Sequence, residues 1–111
     1  MSQKSLTASI ALQTSPRGVD DKKVIEIVDR VIALIKKSGV NYEVGPMETT
    51  MEGDLETLLD VVKKAQYLAI KAGAKSVFSY VKIHHNPAGV LTMAQKTTKH
   101  RKKSVDIHIR Q

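Results

Sequence analysis

Hydrophobic periodicity along this chain switches from alternation to a helical repeat and back, twice over, and that restricts the fold more than any single motif. Leu6–Gln13 alternates, with Leu6, Ala8, Ile10 and Leu12 on one side and Thr7, Ser9, Ala11 and Gln13 on the other. This is the pattern of a half-buried strand. Ser15-Pro16-Arg17-Gly18 predicts a turn after it. Val24, Ile27, Val28, Val31, Leu34 and Ile35 then fall on one helical stripe, flanked by Ile25 and Ile32. Asp20 or Asp21 suits the N-cap, Lys36 and Lys37 suit the negative end of the helix dipole, and Gly39 suits a left-handed C′ position.

The second half repeats the scheme. Val40–Val44 alternates, Gly45-Pro46 interrupts, and Met47–Glu52 resumes, with Met47, Thr49 and Met51 opposite Glu48, Thr50 and Glu52. A connection this short makes the two strands antiparallel neighbours, and Pro46 belongs at a strand end because it has no N–H to donate. Gly53-Asp54 opens a second helix whose stripe is Leu55, Leu58, Leu59, Val62, Ala65, Ala69 and Ala72, ended by Gly73. Ser76–His84 alternates as a fourth strand, with Val77, Ser79, Val81 and Ile83 opposite Phe78, Tyr80, Lys82 and His84. Beyond Asn86-Pro87-Ala88-Gly89 the pattern weakens, with a short extra strand predicted over Ser104–Ile109.

The order β-α-β-β-α-β predicts an α+β, ferredoxin-like sandwich: an antiparallel sheet with both helices on one face. The usual strand order for this arrangement, 4-1-3-2, leaves the second and fourth strands at the edges. With Leu6, Ala8, Ile10 and Leu12 toward the helices, the opposite face carries Ser9, Ala11, Gln13, Thr50, Glu52, Phe78 and Tyr80. Two exposed aromatics beside an edge strand predict a homo-oligomer that covers them.

Composition narrows the function classes. At 111 residues the chain suits one domain, and 41% apolar with 26% charged residues is the balance of a folded one. The absence of cysteine excludes disulfides, thiolate metal sites and cysteine nucleophiles. No apolar run approaches the ~20 residues that span a bilayer, and no signal-peptide stretch opens the chain, so a cytoplasmic protein with no membrane partner is expected. Of the net charge of +7, residues 96–111 contribute +5, which divides the chain into a nearly balanced domain over 1–95 and a basic tail over 96–111.

No catalytic constellation emerges, and an enzyme is not expected. Glu48 and Glu52 stand about 13 Å apart on an extended strand, too far for a glycosidase pair. His84 and His85 are adjacent on a strand and point to opposite faces, so both cannot ligate one metal ion. An acyl-phosphate hydrolase of this fold would need an arginine-bearing anion loop after the first strand, where Arg17 stands alone. RNA-recognition modules share the element order but stack bases on aromatics of the two central strands. Leu6–Gln13 and Met47–Glu52 hold none, and Glu48 and Glu52 repel phosphate, so a nucleic-acid partner is not expected.

The stretch Ser38-Gly39-Val40-Asn41-Tyr42-Glu43-Val44-Gly45-Pro46-Met47-Glu48-Thr49-Thr50-Met51-Glu52-Gly53-Asp54 resembles the thiamine-binding protein family. Its pattern is a Ser-Gly ending the first helix, a Tyr in the second strand, Pro-Met-Gly-Thr, and Glu-Gly-Asp/Glu opening the second helix. This chain departs from it at Glu48, where the family has glycine, and the resemblance runs from about Ala8 to Ile83, with Pro16 matching the proline after the first strand. The resemblance implies a ferredoxin-like subunit assembled into tetramers, a dimer of dimers, that binds thiamine or its hydroxymethylpyrimidine moiety as ligand without a cofactor or turnover. For such a ligand, Glu52 is a candidate acceptor for the amino group, and Thr49, Thr50 and Gln13 are candidates for the ring nitrogens. Tyr42 and Tyr80 are candidates to cover a ring face, and Glu43 or Glu48 would favour the thiazolium cation. The competing expectation is a structural or regulatory interaction protein whose basic tail contacts an acidic partner or nucleic acid.

Overall fold

A computed structural model describes residues 6–100. Its elements are β1 (Ala8–Arg17), α1 (Asp21–Ser38), β2 (Asn41–Val44), β3 (Thr49–Gly53), α2 (Leu55–Lys71) and β4 (Ser76–His85), followed by a further helix, α3 (residues 93–100). The strands form one antiparallel sheet in the order β2-β3-β1-β4, so the second and fourth strands lie at the edges and the arrangement is ferredoxin-like.

The helix termini follow the local chemistry of the sequence. Asp20 caps α1 by accepting the Lys23 N–H at 2.9 Å, and Asp54 caps α2 by accepting the Thr57 N–H at 3.1 Å. Gly39 ends α1 at φ 84°, and its N–H donates to the Lys36 carbonyl at 3.3 Å. The second helix ends differently: Ala72 stays right-handed, Gly73 takes φ 122°, and the Ala74 N–H reaches back to the Ala69 carbonyl at 3.0 Å.

The core lies between the helices and one face of the sheet. Ala8, Ile10 and Leu12 of β1 meet Val31 and Ile35 of α1, Met51 of β3, and Leu58, Val61 and Ala65 of α2. A smaller cluster of Ile27, Ala69 and Ala74 extends it toward the α2–β4 connection. The buried stripe of α2 differs from the expected one in that Val61 is inside and Leu59 is 42% exposed. The interval from Leu58 to Val61 to Ala65 keeps to one side of the helix, whereas Leu59 is rotated off it by one residue's turn.

One further feature departs from the expectations. Ser15-Pro16-Arg17 does not turn; β1 runs on through these residues, pairing them with Phe78, Val77 and Ser76. The Asn86 N–H donates to the Thr7 carbonyl, and alternation from there points the backbone groups of odd-numbered β1 residues at β4. The N–H that Pro16 lacks would therefore point to the β3 side, where pairing has already stopped at Leu12. Helix α3 runs through residues 95 and 96, on both sides of the boundary expected from charge. The strand expected over Ser104–Ile109 lies outside the described residues. Among the described residues, no helix is long and apolar enough to cross a membrane.

At Gly39 a Cβ would meet nothing within 4 Å, so the cost of a side chain there is backbone strain alone. Gly39→Ala should lower stability by about 1 kcal/mol, read as a reduced urea midpoint at unchanged m-value.

Candidate functional site

Pairing in the sheet sets which side chains meet on the face that α1 and α2 leave uncovered. One transverse row consists of Asn41, Glu52, Ser9 and His84; the next of Glu43, Thr50, Ala11 and Lys82; then follow Gln13 with Tyr80, and Ser15 with Phe78. The intervening rows, Tyr42 with Met51, Ile10 and Ile83, and Val44 with Thr49, Leu12 and Val81, face the helices.

The small side chain of Ala11 leaves room for the Lys82 ammonium to reach across the sheet to Glu48, at 3.2 Å. Glu48 belongs to the β2–β3 turn, which closes when the Gly45 N–H donates to the Glu48 carbonyl at 2.9 Å. A Cβ on Gly45 would stand 2.9 Å from that same carbonyl oxygen, so the tight approach excludes any larger residue without a shift of backbone.

Between this turn and the open face lies a cleft of about 590 Å³, lined among others by Gln13, Glu43, Glu48, Thr50, Lys82 and Thr97. Its lining combines the neutral groups of Gln13 and Thr50 with the carboxylates of Glu43 and Glu48 and the ammonium of Lys82. Met47, 73% exposed at the tip of the turn, supplies an apolar lip. A smaller cavity of about 320 Å³ opens on the other side of the same turn, walled by apolar residues of α1 and by Leu12, Val44 and Thr49.

The residues proposed from sequence therefore separate. Gln13 and Thr50 come together in the open-face cleft, and Tyr80 stands beside Gln13 on the same face, 57% exposed. Tyr42 packs against the core and Thr49 is buried on the helix side, so neither can share a site with Thr50; adjacent strand residues point to opposite faces. Glu52 is on the open face but only 6% exposed. Its carboxylate is already engaged, accepting from Asn41 Nδ2 at 3.2 Å and from the Met93 N–H at 2.6 Å. Both of its carboxylate oxygens are thus hydrogen-bonded within the chain.

Other expectations for the open face are met as geometry. Phe78 is 56% exposed on the strand edge, with the Arg17 guanidinium 4.7 Å from its ring centroid. Arg17 also donates from Nε to Ser15 Oγ, so it is occupied within β1 rather than presented on an anion loop. His85 places Nδ1 3.1 Å from the Thr7 carbonyl oxygen, at the strand end.

Sequence reasoning missed Lys82 and Thr97 as parts of the cleft. Lys82 enters only because its cross-strand neighbour is alanine, which register alone reveals. Thr97 was hidden because the start of α3 went unnoticed, although Thr92-Met93-Ala94-Gln95 has the Thr-x-x-Gln spacing of a capping box.

Comparison with known proteins converges on one family. The model of the thiamine-binding protein family matches residues 10–101. A UPF0045 protein of Clostridium perfringens is 48% identical over 95 residues, covering 86% of this chain and 98% of that one. Among solved structures, a domain of unknown function from Bacillus cereus superposes with a TM-score of 0.78 at 40% identity, over 89% of this chain and 94% of that one. A proposed thiamine biosynthesis/salvage protein from Thermotoga maritima superposes with a TM-score of 0.73 at 33% identity, over 85% and 98%.

The Lys82–Glu48 pair is exposed, at 75% and 37% for the two side chains. Lys82→Met should accordingly change the unfolding free energy by less than about 1 kcal/mol while leaving the cleft more acidic, measured by urea denaturation at low and high salt.

Proposed function

The chain belongs to the thiamine-binding protein family, and from that premise we propose that it binds thiamine or a related aminopyrimidine in the open-face cleft, without turnover. The observation that carries this reading is the cleft's lining. Gln13 and Thr50 offer hydrogen-bonding partners for the amino group and ring nitrogens of an aminopyrimidine, while Glu43 and Glu48 stand where a thiazolium cation would be favoured. A volume of about 590 Å³ accommodates a small heterocyclic ligand. Tyr80, on the same face, is in place to flank the ring. Lys82 opposes the cation electrostatically, and its contact with Glu48 is the one a cationic ligand would compete with.

The proposal includes assembly into a cytoplasmic homo-oligomer, a dimer of dimers. Support comes from β4, a ten-residue strand at the edge of the sheet among the described residues. It carries Phe78, Tyr80, Val81 and Ile83, all more than a third exposed.

A second reading, an interaction protein that contacts an acidic partner or nucleic acid through its basic tail, is favoured by one observation: α3 presents Lys96 and Lys99 to solvent. Deleting residues 96–111 would not separate the two readings, because Thr97 lines the cleft. The pair Lys96→Glu and Lys99→Glu does so, abolishing polyanion binding while sparing thiamine.

Calorimetric titration with thiamine and with hydroxymethylpyrimidine tests the main reading; no heat and no thermal stabilisation by either at millimolar concentration would overturn it. Thr50→Val should weaken both ligands. Glu43→Gln combined with Glu48→Gln should weaken thiamine by about tenfold or more and hydroxymethylpyrimidine much less, because only the former carries the fixed cation.

A further inference from the structure

The face of the sheet turned away from α1 and α2 contains two side chains that are nearly inaccessible, Ser9 at 8% and Glu52 at 6% exposed. Neither helix of the repeated frame covers them. The chain after β4 does: the Val90 N–H donates to the Leu6 carbonyl at 2.9 Å, the Gly89 N–H to the Asn86 carbonyl at 2.8 Å, and α3 begins over the row that holds Glu52.

At the start of that helix the N–H groups of Thr92, Met93, Gln95 and Lys96 each have a partner. Thr92 Oγ1 accepts the Gln95 N–H at 2.9 Å, and Gln95 Oε1 accepts the Thr92 N–H at 2.7 Å, the two halves of a capping box. The Met93 N–H, which the box leaves unmet, donates to Glu52 Oε1 at 2.6 Å. A carboxylate is thus placed at the positive end of a helix dipole, in a charge-assisted hydrogen bond shielded from water. One turn further on, Thr97 donates its hydroxyl to the Met93 carbonyl at 2.8 Å and forms part of the cleft wall.

We propose that Glu52 is a positioning residue: it latches α3 onto the open face as a lid, and through Met93 it sets the wall of the cleft that Thr97 provides. The ligand part of this inference rests on the reading given under Proposed function; the latch does not. Tertiary contacts, more than helix propensity, stabilise helices in proteins, so the position of α3 depends on what holds its start. Asn41 holds the other carboxylate oxygen, at 3.2 Å, and so orients Glu52 toward Met93 rather than into the cleft. Opening the lid would release the Met93 N–H and the carboxylate together to solvent, which makes the contact a reversible one.

Met93→Pro is the discriminating variant. Proline is well tolerated at the first helical position, lacks the N–H that Glu52 accepts, and leaves the core of the sheet untouched. Hydrogen exchange of the full-length protein followed by mass spectrometry should show loss of protection over residues 94–100 by about tenfold or more, the scale of one charge-assisted hydrogen bond, with amides of β1, β3 and α1 unchanged. Glu52→Gln, which keeps an acceptor oxygen but not the charge, should give an intermediate loss. In both variants thiamine affinity should fall by severalfold with the same rank order. Unchanged protection of residues 94–100 in Met93→Pro would overturn the latch, and lost protection with unaltered thiamine affinity would overturn its link to the cleft. If the wild-type protein binds no thiamine while Met93→Pro still loses protection over residues 94–100, the latch stands and the ligand reading falls.

Discussion

Alternation along β1 is the constraint on which the rest of the structure depends. As a central strand, β1 has a neighbour on each side and two faces with opposite requirements. Ala8, Ile10 and Leu12 are buried against the helices, while Ser9, Ala11 and Gln13 form the middle of the other face. Register with β3 and β4 inherits that parity, because a slip of one residue would exchange the two sets and bring Ser9, Ala11 and Gln13 into the core. The chemistry of the open face is therefore tied to the packing of the closed one.

That open face is acidic near the β2–β3 turn, where Lys82 meets Glu48, and carries Arg17 over Phe78 at its far end. Glu52, removed from water, is compensated by two hydrogen bonds; Glu48 is met by Lys82; Glu43 stands beside Thr50 across the β2–β3 pair. Such a surface repels phosphate and favours ligands with amino donors or delocalised positive charge. The same preference separates this molecule from RNA-recognition modules with the same element order, which place aromatics on the central strands. Here Phe78 and Tyr80 lie on an edge strand instead.

Much of the frame was legible in the chain. Helix α1 could be delimited to within a residue because its signals are local: Asp20 at the N-cap, lysines in the last turn, and Gly39 at the left-handed position. Pro16 misled because a turn signal in isolation cannot reveal that one side of a strand has lost its partner, and only there is a missing N–H harmless. The start of α3 was equally local, in Thr92 and Gln95, but weak apolar periodicity concealed it. The candidate site was half legible. Thr49 and Thr50 are neighbours on a strand, so one face can hold only one of them, and pairing with Ala11 selects Thr50.

By itself, then, the sequence determined the β-α-β-β-α-β order, the helix ends and the two-sided character of β1, since each follows from interactions between residues a few positions apart. Tertiary structure alone decided that Lys82 reaches Glu48 across Ala11, that Tyr42 turns inward, and that Glu52 is consumed by Met93, 41 positions away. These depend on strand register and on where a helix comes to rest. Neither is encoded in any short window, because both are settled by burying the same apolar surface from several elements at once.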